Sequence, residues 1–176
     1  TSKDGGAGLV EMWHRILKRE GIEVLFDTPL VSLLTNEKGQ VYGCVVRTNE
    51  GFREIHCKAV ILGCGGYEAS PEMRARYLGP GWDLARVRGT RYNTGEGIQM
   101  ALDIGAQAAG HYSSGHATPI DAATGEYEAG FLDPVKRLHM SHRYGWPLGI
   151  MVNANGQRFV DEGEDFSTYT YAKFGR

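Results

Sequence analysis

Four of the six histidines fall in one stretch, as His111, His116, His139 and His142, and imidazoles gathered in a glycine- and proline-rich region can bind a metal or an anion. His139 and His142 stand at i, i+3, and His111 precedes His116, spacings open to a metal. No HExxH and no carboxylate-rich partner accompanies them, so no metal site is expected. Donors concentrated in this way suit a substrate carrying several carboxylates. For any single histidine the alternative is an exposed or internally satisfied imidazole. Five arginines, Arg74, Arg76, Arg86, Arg88 and Arg91, lie just upstream and could hold phosphates or carboxylates. A solvated helix face and its following loop is the expected reading for them.

Two glycine-rich segments could present main chain to a ligand. Ala59-Val60-Ile61-Leu62 enters Gly63-Cys64-Gly65-Gly66, the pattern of a buried strand meeting a tight turn, where free N–H groups let a phosphate or adenosine lie close. A strand-ending turn without a ligand fits as well. The GxGxxG dinucleotide pattern is not met, because Glu68 occupies the position of the later glycine. Thr94-Gly95-Glu96-Gly97 opens a helix whose first N–H groups could face a ligand, with Glu96 able to bond a ribose hydroxyl. Its alternative is an ordinary capped helix with an acidic first turn.

The elements that must position these residues are legible from periodicity. Leu9, Met12, Trp13, Ile16 and Leu17 recur at helical spacing from Gly8 to Arg19, and Gly21 stands where a helix stops. Short strands are expected at Glu23–Phe26, Val31–Leu34, Val41–Arg47 and Phe52–His56, with turns at Asn36-Glu37-Lys38-Gly39 and Asn49-Glu50-Gly51. Ser70-Pro71 caps and opens a helix toward Tyr77, and another helix runs from Thr94 to Gly105. Periodicity weakens after about residue 111, so a boundary is placed there. Asn155-Gly156 between two apolar runs signals a hairpin, and a last helical stretch is expected from Phe166.

Composition narrows the function. A net charge of -2 and a pI near 6.3 provide no basic field for nucleic acid or an anionic membrane. Cys44, Cys57 and Cys64 are odd in number and form no CxxC, so neither a disulfide framework nor a zinc site is indicated and a reducing, cytoplasmic setting is expected. No apolar run approaches the roughly 18 residues of a membrane span. The 25 glycines punctuate periodic segments and form no repeat. A start without Met and an end at Phe174-Gly175-Arg176 suggest a piece of a longer protein.

Taken in order, these segments resemble the middle of the fumarate reductase and succinate dehydrogenase flavoproteins over essentially the whole chain. Four landmarks carry the resemblance. The first is the glycine-rich opening with the Thr28-Pro29-Leu30 to Gly43-Cys44-Val45 meander, and the second is Val60-Ile61-Leu62-Gly63-Cys64-Gly65-Gly66-Tyr67. The third is Asn93-Thr94-Gly95-Glu96-Gly97 with Met100-Ala101 and Gly105-Ala106, and the fourth is Val152-Asn153 with Gly156, Arg158-Phe159 and Glu162. The stretch from Arg158 to Arg176 is most similar to the tricarballylate dehydrogenase subfamily. The resemblance implies an α/β (α+β) chain in which residues 1–110 form part of a split FAD-binding domain with a β-meander. Residues 111–176 would form part of an inserted, substrate-capping α+β domain.

By the same resemblance Leu30, Cys64, Gly65, Gly66 and Glu96 match positions that contact FAD, Glu96 replacing the usual aspartate of a TGDG motif. His116 matches the carboxylate-binding histidine ahead of the cap, and Ser141 and His142 match a hydroxyl-plus-glutamate pair that touches substrate. His142 in place of glutamate adds donor character, in keeping with one more carboxylate than fumarate. Phe166 stands where the proton-delivering arginine of fumarate reductases is found, which closes that route to this chain. Tyr169, Tyr171, Lys173 or His142 could take the proton instead.

The implied reaction is oxidation of a carbon–carbon bond beside a carboxylate, tricarballylate to cis-aconitate, with FAD reoxidised by a separate electron-transfer partner. One alternative is another flavoenzyme of this scaffold, resembling a fumarate reductase or succinate dehydrogenase, or a 3-ketosteroid dehydrogenase that uses a tyrosine in the proton step. A steroid would need a long apolar wall, and the stretch from His111 to His142 reads as polar. A second alternative is a cap or binding module without chemistry of its own, and the isolated chain, lacking GxGxxG, is expected to purify colourless.

Overall fold

The structure, a computed structural model, describes residues 5–87, 89–115, 117, 122, 126–127 and 148–163. The chain divides into two compact units, Thr1–Ile61 and Leu62–Arg176. The boundary read from the sequence near residue 110 falls within the second of these.

The first unit opens with helix α1 (Gly5–Arg19), three residues ahead of the start read from periodicity. Its end is set by Gly21 at φ +68°, where the Gly21 N–H donates to the Lys18 carbonyl at 3.3 Å and the Ile22 N–H to the Leu17 carbonyl at 2.9 Å. This pair of bonds satisfies carbonyls that the helix itself leaves open, and Lys18 and Arg19 complement its C-terminal dipole. The apolar stripe on α1 stays largely accessible, with Leu9, Met12 and Trp13 between 41% and 53% exposed.

Three strands follow, β1 (Leu30–Thr35), β2 (Val41–Thr48) and β3 (Gly51–His56), in an antiparallel sheet of that order. The β1–β2 turn is held by Asn36, whose Oδ1 accepts from the N–H groups of Lys38 and Gln40 at 3.0 Å, while Gly39 takes φ +74°. At the β2–β3 turn Thr48 Oγ1 accepts from the Glu50 N–H and donates to the Gly51 carbonyl. Register runs Gly43↔His56 to Thr48↔Gly51, and Val46 is buried at the centre. Two expected strands are corrected. Glu23–Phe26 and Ala59–Leu62 carry no ladder among the described residues, and Ile61 is 95% exposed. Apolar, β-prone residues become a strand only where a partner supplies the hydrogen bonds.

In the second unit α2 (Pro71–Leu78) begins where Ser70 accepts from the Met73 N–H at 3.2 Å and Pro71 needs no acceptor. A 3-10 turn at Trp82–Leu84 follows, and then α3 (Glu96–Asp103). Gly105, at φ +93°, ends α3 by the device that ends α1, its N–H on the Leu102 carbonyl and the Ala106 N–H on that of Ala101. The Asn155-Gly156 hairpin is present, closed by a bridge between Val152 and Arg158 with Gly156 at φ +75°. The helical stretch expected from Phe166 lies outside the described residues. Among those described, no helix is long and apolar enough to cross a membrane.

Candidate functional site

The glycine corner at 63–66 and the start of α3 are built against each other. The Gly95 N–H donates to the Gly66 carbonyl at 3.1 Å, and the Ala69 N–H to the Asn93 carbonyl at 2.9 Å. Asn93 also donates through its amide to Glu68. Three glycines allow this approach. A Cβ on Gly65 (φ +78°) would lie 2.9 Å from the Asn93 amide, one on Gly97 would overlap the Cys64 sulfur, and one on Gly95 (φ +83°) would meet the Met73 sulfur. Glycine thus suits the corner by close packing at all three positions and by positive φ at Gly65 and Gly95.

The corner leaves main chain open. Gly95 caps α3 without any side-chain bond, so the N–H groups of the first turn, which no helical carbonyl can accept, are not taken by a cap. Cys64, Gly65 and Glu96 are all exposed. Main chain free of side chains, an uncapped helix start and an exposed carboxylate together fit a group that presents acceptors and hydroxyls. Of the residues predicted to contact cofactor, Cys64, Gly65, Gly66 and Glu96 are brought together here. Leu30, half-buried at the head of β1, belongs to the other unit.

Beyond Gly66 and Tyr67 lies a cavity of about 1110 Å³. Leu78, Trp82, Val87 and Ile98 give it apolar walls, and its polar lining includes Glu68, Arg74, Arg86, His111 and Ser114. Tyr67 donates from its hydroxyl to the Tyr112 carbonyl and packs at a tilt on Tyr77, ring centroids 5.5 Å apart, which in turn packs on Tyr112 at 5.2 Å. Burial, then the neighbouring Tyr77 and Tyr112, push the Tyr67 phenol up from its ordinary value. The His111 ring is placed between Ser114 Oγ, 3.0 Å from Nδ1, and Ser113 Oγ, 3.2 Å from Nε2. Gly115 and Ala117, the chain neighbours of His116, also line the cavity.

His116, Ser141, His142, Phe166, Tyr169, Tyr171 and Lys173 all lie outside the described residues. Arg76, Arg86 and Arg91 are exposed, as the solvated reading of the arginine cluster expects, and Arg74 departs from it. Arg74 is buried and bonded to main-chain carbonyls, Arg76 covers the Tyr77 ring, Arg86 donates to the Ala122 carbonyl and Arg91 covers the Tyr127 ring. Arg88 lies outside the described residues.

The hairpin carries an ion pair that sequence reading missed. Glu162 is buried, and its Oε2 accepts from Arg158 Nη2 at 2.6 Å and Nε at 3.0 Å while Oε1 accepts from the Met151 N–H. The i, i+4 spacing of Arg158 and Glu162 was the only signal, and in a turn it predicts nothing. The Arg158 hydrogen bonds first, and then the Met151 N–H, hold the Glu162 carboxyl at about 2, below its ordinary 4.5. Because the folded value is depressed, the stabilisation is complete above the ordinary value and is lost as pH falls from about 4.5 toward about 2. Amide exchange over 148–163, corrected for its intrinsic rate, should therefore accelerate through that window, and Glu162→Gln should abolish the dependence. A pH-independent wild-type hairpin would contradict the assignment.

Comparison with known proteins adds the family. Residues 1–174 match the family profile described as FAD binding domain. Probable fumarate reductase Ifc3 of Shewanella frigidimarina is 29% identical over 161 residues, 91% of this chain and 25% of that protein. The 3-oxosteroid 1-dehydrogenase of Mycolicibacterium smegmatis is 29% identical over 178 residues, 97% of this chain and 29% of that protein. The solved open conformation of a flavocytochrome c3 fumarate reductase matches at a TM-score of 0.71 and 24% identity, over 99% of this chain and 29% of that one, a likeness of fold alone. The chain spans between 25% and 29% of the length of these curated relatives.

Proposed function

Because the chain belongs to the FAD binding domain family, with FAD as its cofactor, we propose that the protein carrying it oxidises a carbon–carbon bond beside a carboxylate, converting tricarballylate to cis-aconitate. In this reading residues up to about 110 belong to the FAD domain and residues 111–176 to the cap. Leu30, Cys64, Gly65, Gly66 and Glu96 hold FAD, which when bound supplies the two-electron acceptor. The observation that carries the cofactor assignment is the glycine corner docked on the uncapped start of α3.

His116, Ser141 and His142 clamp the substrate carboxylates and stabilise the negative charge that develops as the proton leaves. Tyr169, Tyr171, Lys173 or His142 takes that proton. The cavity beside Gly115 and Ala117 receives the body of the substrate, with the His111, Ser113 and Ser114 cluster adding donors at its polar end. A separate electron-transfer partner reoxidises the cofactor, and the reduced cysteines suit the cytoplasm.

A second reading has one observation in its favour. Leu78, Trp82, Val87 and Ile98 give the cavity the apolar wall that the sequence alone did not show, which suits a cyclic ketone of the kind named for the 3-oxosteroid relative. Flavin bleaching separates the two. Tricarballylate should bleach the full-length protein under anaerobic conditions, whereas bleaching by a 3-ketosteroid or succinate and not by tricarballylate would remove the first reading. Alanine at His116 or His142 should raise KM about tenfold or more at unchanged flavin content. Parallel loss of flavin would make their role structural.

A further inference from the structure

We propose that Arg74 is the positioning residue that holds the loop at 79–87 in place as one wall of the cavity; its effect on catalysis rests on the substrate reading above, its effect on the loop does not. The loop is anchored at its far end by Val87, which is buried and whose carbonyl accepts from the Tyr127 N–H at 2.7 Å, but its middle has little to hold it. Gly79 and Gly81 sit at φ +109° and +89°, and glycine gives up more freedom on ordering than any other residue. Leu84 is 81% exposed, so apolar burial does not pin the 3-10 turn at Trp82–Leu84. The short bonds of that turn, Trp82 N–H to the Gly79 carbonyl at 3.4 Å and Leu84 N–H to that of Gly81 at 3.1 Å, are local, the first joining the turn to α2 through its C-cap, Gly79.

Arg74 supplies what the loop lacks. It projects from the middle of α2 and is only 4% exposed. Its Nε donates to the Trp82 carbonyl at 2.8 Å, its Nη2 to the carbonyls of Asp83 at 3.1 Å and Ala85 at 3.0 Å, and its Nη1 to that of Glu68. Among the described residues its partners are all main-chain carbonyls. One rigid fork therefore ties Glu68, two residues past the glycine corner, and three residues of the loop to a single point on the helix. Trp82, Ala85, Arg86 and Val87 then reach the cavity from that loop. Lysine keeps the charge but presents its donors from one nitrogen, and cannot span carbonyls on both sides.

The test uses the flavin-loaded, full-length protein with Arg74→Lys and Arg74→Met. Amide exchange at 79–87 should rise well above that of α2 and α3, and trypsin should cut after Arg86. Flavin content should hold, and KM for whichever substrate bleaches the wild type should rise about tenfold with kcat within about twofold. If Arg74→Met does not fold, Arg74→Lys carries the measurement. Unchanged exchange at 79–87, or an equal rise across 62–115, would overturn the proposal. A loosened loop with unchanged KM would overturn the cavity-wall role. Should no offered substrate bleach even the wild type, the functional reading fails, and the exchange pattern still decides what Arg74 does to the loop.

Discussion

Gly95→Ala should remove about 2–5 kcal/mol of stability from the second unit, the sum of two separate penalties. The first is conformational. Gly95 sits at φ +83°, and an L side chain in that region costs about 1–2 kcal/mol. The second is crowding, because the new Cβ would meet the Met73 sulfur and lie 3.0 Å from the Tyr67 Cβ. Met73 can swing its thioether aside. Tyr67 cannot move its Cβ without its backbone, and its hydroxyl is held by the Tyr112 carbonyl, so a penalty of about 1–3 kcal/mol for overpacking applies. Relief would come from withdrawing the start of α3, breaking the bond from the Gly95 N–H to the Gly66 carbonyl. Flavin retained per protein should fall with stability if the corner holds the cofactor. Gly105→Ala is the control, since Gly105 shares a positive φ of +93° but faces open space, and should show the conformational penalty alone. Urea midpoints that match for the two variants would remove the crowding argument.

The contrast between those two glycines marks how far the sequence could be read. Both were visible as helix punctuation, because the requirement for a positive φ is local. That Gly95 must also make room for Met73 and Tyr67, and Gly97 for Cys64, depends on residues 22 or more positions away, which periodicity does not reach. The same divide runs through the rest of the chain. Ser70-Pro71, Asn36 with Gly39, Gly21 and Asn155-Gly156 were legible since each satisfies its own backbone within a few residues. Ala59–Leu62 read as a strand from side chains alone, and a ladder partner is not written in them.

On the ligand side, the turn at Cys64, Gly65 and Gly66 was legible because glycine next to glycine is a backbone signal, while its cofactor role and that of Glu96 rest on resemblance. Arg74 was missed because arginine on a short helix ordinarily faces water, and nothing nearby announces four carbonyls converging on it. The substrate-side residues His116, Ser141 and His142 rest on resemblance, and the bleaching and alanine experiments bear on them directly.

Gly43→Ala should destabilise the three-stranded sheet by about 1–3 kcal/mol, against the usual sign of such a change. Glycine inside a strand ordinarily weakens it, and alanine would stabilise by about 0.5–1 kcal/mol through the unfolded chain. Here the added Cβ would lie 2.6 Å from the Ile55 carbonyl oxygen and 3.3 Å from the His56 Cα. Both are main-chain atoms of β3, so no rotamer change relieves the contact and the strands must part. Gly43 pairs with His56 on one side and Leu34 on the other, so parting β2 from β3 also disturbs β1, which begins at Leu30. Exchange at Cys44, Ile55 and Cys57 should accelerate first, the Cys57 N–H being bonded to the Tyr42 carbonyl at 2.9 Å. Flavin content should drop less than in Gly95→Ala, because the corner at 63–66 is built in the other unit. A Gly43→Ala protein as stable as wild type, or more so, would mean that β2 and β3 do not approach as closely as this register requires.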